Sequence, residues 1–185
     1  MKYGLALILL LASLGSAAAD SLGASAAGAI SAYRRQHGLS GVSVDSTLTH
    51  LASQQAHAMA RAGVMSHSVG GSFQSRVGSA GRSFAAENIA YGARDLNSAL
   101  DMWKRSAGHR ANMLNSGVSQ IGIASAQASS GRVYWALVMA GSAAPRGLRI
   151  KQPRMRRAAI TRSGPSFGIK YCGESPTGMP RIACE

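Results

Sequence analysis

The sequence predicts an α+β fold, an α-β-α sandwich in which helices lie on both faces of a small sheet. Three observations lead there. The chain has 185 residues, 46% hydrophobic and 15% charged, long enough for one domain with a real core and too apolar for wholesale disorder. Stretches of helical spacing alternate with three strand-like runs. The last run, Arg132–Ala140, is apolar on both sides: Val133, Trp135, Leu137 and Met139 point one way, and Tyr134, Ala136, Val138 and Ala140 the other. Such a strand is covered on both faces.

The elements follow in chain order. Residues 24–37 are Ala-rich and stop at Gly38, a residue suited to a helix end. Asp45, Ser46 and Thr47 offer N-caps for a second helix that runs to about Arg61 and closes at Gly63. Its inner stripe is Leu48, Leu51, Ala52, Gln55, Ala56, Met59 and Ala60, whereas His50, Gln54, His57 and Arg61 share the outer face. Two histidines on one face hint at a metal site, but the pattern is that of a solvated surface. A third helix starts near Asp95, with Leu96, Ala99, Leu100, Trp103 and Ala107 inward and Asp101–Arg105 as an i,i+4 pair. A short helix over 108–114 follows. The strand candidates are Phe84–Tyr91, Gln120–Ala126 and Arg132–Ala140. No internal repeat is visible, and composition excludes a coiled coil, a collagen or a disulfide-dense mini-protein.

Both ends read differently from this core. Lys2, the 12-residue apolar run Tyr3–Leu14 and Ala17-Ala18-Ala19 form a signal-peptide pattern over residues 1–19. The run is shorter than the roughly 20 residues of a membrane-spanning helix, so the expectation is a secreted or periplasmic chain beginning at Asp20. The formal charge of +13 is uneven: residues 20–141 hold 10 basic and 5 acidic residues, and residues 142–185 hold 9 and 2. Arg146, Arg149, Lys151, Arg154, Arg156, Arg157 and Arg162, interspersed with Pro145, Pro153 and Pro165, read as a basic arm that binds anionic surfaces. With only Phe167 and Tyr171 for stacking, it is not a dedicated nucleic-acid module. Cys172 and Cys184 are the two cysteines, and in an exported protein their spacing permits a small disulfide loop.

Three segments carry chemistry: Met65-Ser66-His67, Ala86-Glu87-Asn88-Ile89-Ala90-Tyr91-Gly92, and Trp103 through Leu114, which contains Gly108-His109. Glu87 stands in an apolar strand, among few acids in the chain. A buried carboxylate needs partners, and His67 and His109 flank it in the sequence.

These segments, in this order and together with the run from Ile121 to Met139, resemble a bacterial member of the CAP superfamily. That superfamily holds cysteine-rich secretory proteins, antigen 5 and plant pathogenesis-related class-one proteins. The resemblance covers about Ala32 to Met139. It implies an α-β-α sandwich with a central antiparallel sheet, and a cavity lined by two His and two Glu. His67, Glu87 and His109 match three of the four; the fourth, a Glu in eukaryotic relatives, falls at Ser106. The pattern Phe73-x-x-Arg76 is also similar to the family's, and Arg76 is either an ion-pair partner near the cavity or an ordinary surface Arg. Asn88 either lines the cavity or pairs with backbone.

Two imidazoles and a carboxylate suit Zn²⁺ with an open fourth position, and such an ion lowers the pKa of bound water to roughly 7. The His-Glu-x-x-His pattern of one-helix zinc sites is absent. A buried His–Glu–His hydrogen-bond network explains the same residues without an ion. A Ser106–His109–Glu87 triad lacks the Gly-x-Ser-x-Gly elbow, and Ser106 reads better as the cap of the short helix. Two functional classes stand: a monomeric binding module for a lipid, envelope polymer or protein, and a metal-assisted hydrolase of peptide or cell-wall substrates with Glu87 or bound water as base.

Overall fold

The computed structural model describes residues 21–142 apart from 79, 81 and 83. The leader expected over residues 1–19, the expected basic arm with its seven cations, and Cys172 and Cys184 lie outside the described residues. Helix α1 covers residues 21–36. There follow β1 (Ser43–Val44), α2 (Ser46–Ala62), α3 (Phe73–Gly78), β2 (Ala85–Tyr91), α4 (Leu96–Arg105), α5 (Ala107–Met113), β3 (Gln120–Gln127) and β4 (Val133–Ala140). The sheet order is β1-β3-β4-β2. The three long strands pair antiparallel, with Glu87 opposite Val138 and Gly122 also opposite Val138 on the other side. The two-residue β1, which the sequence does not announce, pairs parallel with β3.

Strand β4 divides the core as its alternation predicts. Trp135, Leu137 and Met139 face α1, α4 and α5, joining Ile30, Leu100, Trp103 and Met113. Tyr134, Ala136, Val138 and Ala140 face α2 and α3, joining Leu48, Met59, Phe73 and Ile89. The second face is lined by small residues, and α2 lies almost on the sheet. A Cβ at Gly122 would stand 2.0 Å from the backbone of Leu48 and Thr49. Burying Leu48, Leu51 and Met59 on this face contributes roughly 1.5–3 kcal/mol each.

Local chemistry sets the helix ends. Asp45 caps α2 by accepting from the Leu48 amide at 2.9 Å, and Gly63 closes the helix at φ 66°. Asp95 caps α4 through the Ser98 amide at 2.8 Å. Asp45 is also tied to Arg82 at 2.6 Å. Burial opposes ionisation of Asp45, but the Leu48 amide and the Arg82 guanidinium outweigh it and hold the carboxyl below its ordinary range. Asp101 meets Lys104 at 3.4 Å rather than Arg105, because the helix places i+3 as near as i+4. Ala107 is exposed instead of continuing the α4 stripe, since the chain breaks at Ser106 and restarts as α5.

Arg34 is the largest polar residue in the interior, 1% exposed. It has no carboxylate partner among the described residues and instead donates to four carbonyls: Ser40 at 2.8 Å, Met113 at 2.7 Å, Asn115 at 2.9 Å and Val118 at 2.9 Å. The planar five-donor fork suits this task. It locks the end of α1 to the segment leaving α5. Among the described residues no helix is long and apolar enough to cross a membrane.

Candidate functional site

Glu87 sits mid-strand on β2 and is fully buried. Alternation along the strand turns it, like Ile89, toward the α2–α3 face, while Ala86 and Ala90 pack on the other. His67, 5% exposed, reaches it from the loop after α2, with Nδ1 2.9 Å from Oε1. Arg76 reaches it from α3: Nη1 donates to Oε2 at 2.8 Å and Nη2 to Oε1 at 3.0 Å. This two-point guanidinium–carboxylate pair is the strong form of the interaction. Of the two readings the sequence leaves for Arg76, the structure selects the ion pair.

The same guanidinium holds the loop itself. Arg76 Nη2 donates to the His67 carbonyl at 2.9 Å, and Nε to the Gly71 carbonyl at 3.3 Å. From the other side, Gln55 on α2 donates to the Ser66 carbonyl at 2.6 Å. Gly71 turns the chain at φ 95°, a conformation that favours glycine. Gly70 lies flush on α2, where a Cβ would come within 2.8 Å of Gln55 Oε1 and 3.3 Å of the Ala58 methyl. Residues 66–71 are thus clamped between α2 and the Arg76–Glu87 pair.

The GH segment is placed by α5. His109 is fully buried, and its carbonyl accepts from Asn88 Nδ2 at 3.1 Å, while Asn112 Nδ2 donates to Asn88 Oδ1 at 2.9 Å. Asn88 therefore ties mid-β2 to α5 through one backbone and one side-chain bond. Ser106 stands at the N-cap position of α5, but its side chain makes no capping bond; the expected hydroxyl cap is not formed. Trp103 donates from Nε1 to the Ile89 carbonyl at 3.1 Å, closing the edge of β2 above this region. Its indole nitrogen would otherwise be an unmet donor in the core.

The donor chemistry can be tested against the ion that the resemblance implies. Among the described residues no three His, Cys, Asp or Glu side chains gather into a group able to hold a metal. Glu87 already faces a cation at two points, so a divalent ion on that carboxylate would have to displace a like-charged guanidinium. A metal bound through Glu87 does not fit this arrangement.

Fold and site together define an α-β-α sandwich with a buried His–Glu–Arg cluster behind a clamped loop. Residues 27–139 match the family model "CAP: Cysteine-rich secretory protein family", and the chain belongs to that family. Among solved structures it is similar to an outer surface protein from Borrelia burgdorferi, with TM-score 0.57 and 19% identity over 62% of this chain and 87% of that one. It is also similar to an extracellular SCP-domain protein from Bacillus anthracis, with TM-score 0.58 and 22% identity over 66% and 41% of the two chains. A cysteine-rich secretory protein from Staphylococcus aureus gives TM-score 0.53 and 20% identity over 66% and 39%. The chain thus spans about two-fifths of the latter two. At these identities the likeness shows the fold alone. No curated protein matches the sequence.

Proposed function

We propose that this chain is an exported CAP-domain binding module whose buried His67–Glu87–Arg76 cluster shapes a ligand-binding loop rather than carrying out hydrolysis. The carrying observation is the engagement of Glu87: both carboxylate oxygens accept from Arg76, and one also meets His67. A general base needs a lone pair within reach of a substrate proton or water, and this carboxylate is fully buried and committed. Export is supported by the leader pattern of residues 1–19 and by the surface or extracellular character named for two of the similar structures. Ligands of the module would be envelope polymers, lipids or proteins, with the basic arm from Arg146 to Arg162 adding affinity for anionic surfaces.

Calorimetric titration with Zn²⁺ tests the reading, using wild type, Glu87→Gln and the double variant His67→Ala/His109→Ala. The expected result is the same heat in all three proteins, with no turnover of peptide or cell-wall substrates by any of them. One equivalent of Zn²⁺ bound by wild type and lost in Glu87→Gln, accompanied by metal-dependent hydrolysis, would overturn it in favour of the hydrolase.

A further inference from the structure

The outer face of α2 carries a concavity of about 440 Å³ lined by Ser53, Gln54, His57, Ala58, Arg61 and Gly70. Its far wall is the loop that the Arg76–Glu87 cluster clamps. Arg61 and His57 lie one turn apart on the same helix face and both line the hollow. His57 Nδ1 is 2.9 Å from the Ser53 carbonyl. A carbonyl only accepts, so Nδ1 carries the proton and Nε2 is left as an acceptor, able to take a hydroxyl proton from a ligand.

The charge in this hollow has no counterpart among the described residues. Arg61 makes no hydrogen bond or ion pair among the described residues. Every described carboxylate is engaged elsewhere: Asp45 by Arg82, Glu87 by Arg76, Asp95 by the Ser98 amide and Asp101 by Lys104. The hollow therefore offers a guanidinium fork and an imidazole, with the Ser53 hydroxyl and Gln54 amide beside them. The guanidinium fork matches the planar or tetrahedral oxygens of an oxyanion, and His57 Nε2 and the Ser53 hydroxyl suit hydroxyls beside it.

We propose that the hollow between α2 and residues 66–71 is a binding site for an oxyanion, a phosphate or carboxylate group borne on a hydroxyl-bearing carrier, with Arg61 as the ligand of the anion and His57 Nε2 as the acceptor for a neighbouring hydroxyl. The site rests on the reading of the chain as a binding module and gives that module a recognition chemistry. Gly70 matters to it because a Cβ there would come within 2.8 Å of Gln55 Oε1 and 3.3 Å of the Ala58 methyl, so a side chain would push this wall off α2.

The test is an NMR titration of the whole chain at constant ionic strength, following the His57 ring and the Gly70 amide. The probes are inorganic phosphate, glucuronate and, as an uncharged control, glucose. Saturable shifts with phosphate, glucuronate or both are expected, with Kd on the order of 1–10 mM, and none with glucose; which anion binds distinguishes the source. Arg61→Gln should weaken binding roughly tenfold or more, while Arg35→Gln, an exposed arginine on α1, leaves it unchanged. Non-saturating shifts, or equal affinity in Arg61→Gln and Arg35→Gln, would overturn the proposal. This result is independent of the zinc titration, so failure of the site and failure of the binding-module reading are told apart.

Discussion

Removing Arg76 should be among the most damaging single changes in the domain. Arg76→Ala deletes two bonds to Glu87, at 2.8 and 3.0 Å, and two to the carbonyls of His67 and Gly71, at 2.9 and 3.3 Å. The carboxylate it leaves is fully buried. Breaking a buried pair from one side costs about 3–5 kcal/mol, because the surviving charge has lost its compensation. For a domain of this size that is a fall in Tm of roughly 10–20 °C. The pair should be strongly coupled: Arg76→Met with Glu87→Gln should cost less than the sum of the single changes by more than about 2 kcal/mol. Urea unfolding of Arg76→Ala and of the four proteins of the double-mutant cycle gives both numbers. A loss under about 1 kcal/mol for Arg76→Ala, or additivity across the cycle, would refute the clamp.

Three further outcomes are expected. Arg34→Lys should destabilise by about 2–4 kcal/mol, since a three-donor ammonium cannot serve four carbonyls in a planar array; denaturant melts check it. Gly122→Ala should fail to fold or lose more than about 3 kcal/mol, because its Cβ would meet the α2 backbone rather than a movable side chain; expression and circular dichroism decide. Asp45 has its folded pKa lowered, so its stabilisation is present above the unfolded value near 3.9 and is lost as pH falls through the folded value. Asp45→Asn should therefore lower Tm at pH 7, and its Tm should fall less steeply than that of wild type as pH drops below about 4.

Much of the fold was legible because its signals are local and periodic. Asp45 and Gly63 bracket α2 as cap chemistry dictates, and the two-sided apolar pattern of β4 foretells two cores. What escaped is short or depends on distant partners. Helix α3 has six residues, too few for a periodic stripe, although Ser72 capping the Ser75 amide at 3.2 Å is a signal in retrospect. The two-residue β1 exists only because β3 lies beside it. Arg76 was visible as part of a Phe-x-x-Arg pattern. That its partner is Glu87, 11 positions on, depends on α3 folding back over β2, which no local rule specifies. The buried acid in an apolar strand pointed to a partner, and His67 lies against it, while Asn88 binds the backbone of α5.

The most direct test of the clamp is a crystal of the chain grown or soaked with Zn²⁺, with anomalous scattering recorded at the zinc edge. The expected map shows Arg76 still bonded at two points to Glu87 and no zinc peak on that carboxylate. A strong peak coordinated by Glu87, with Arg76 swung away, would contradict the assignment of Glu87 to an internal ion pair.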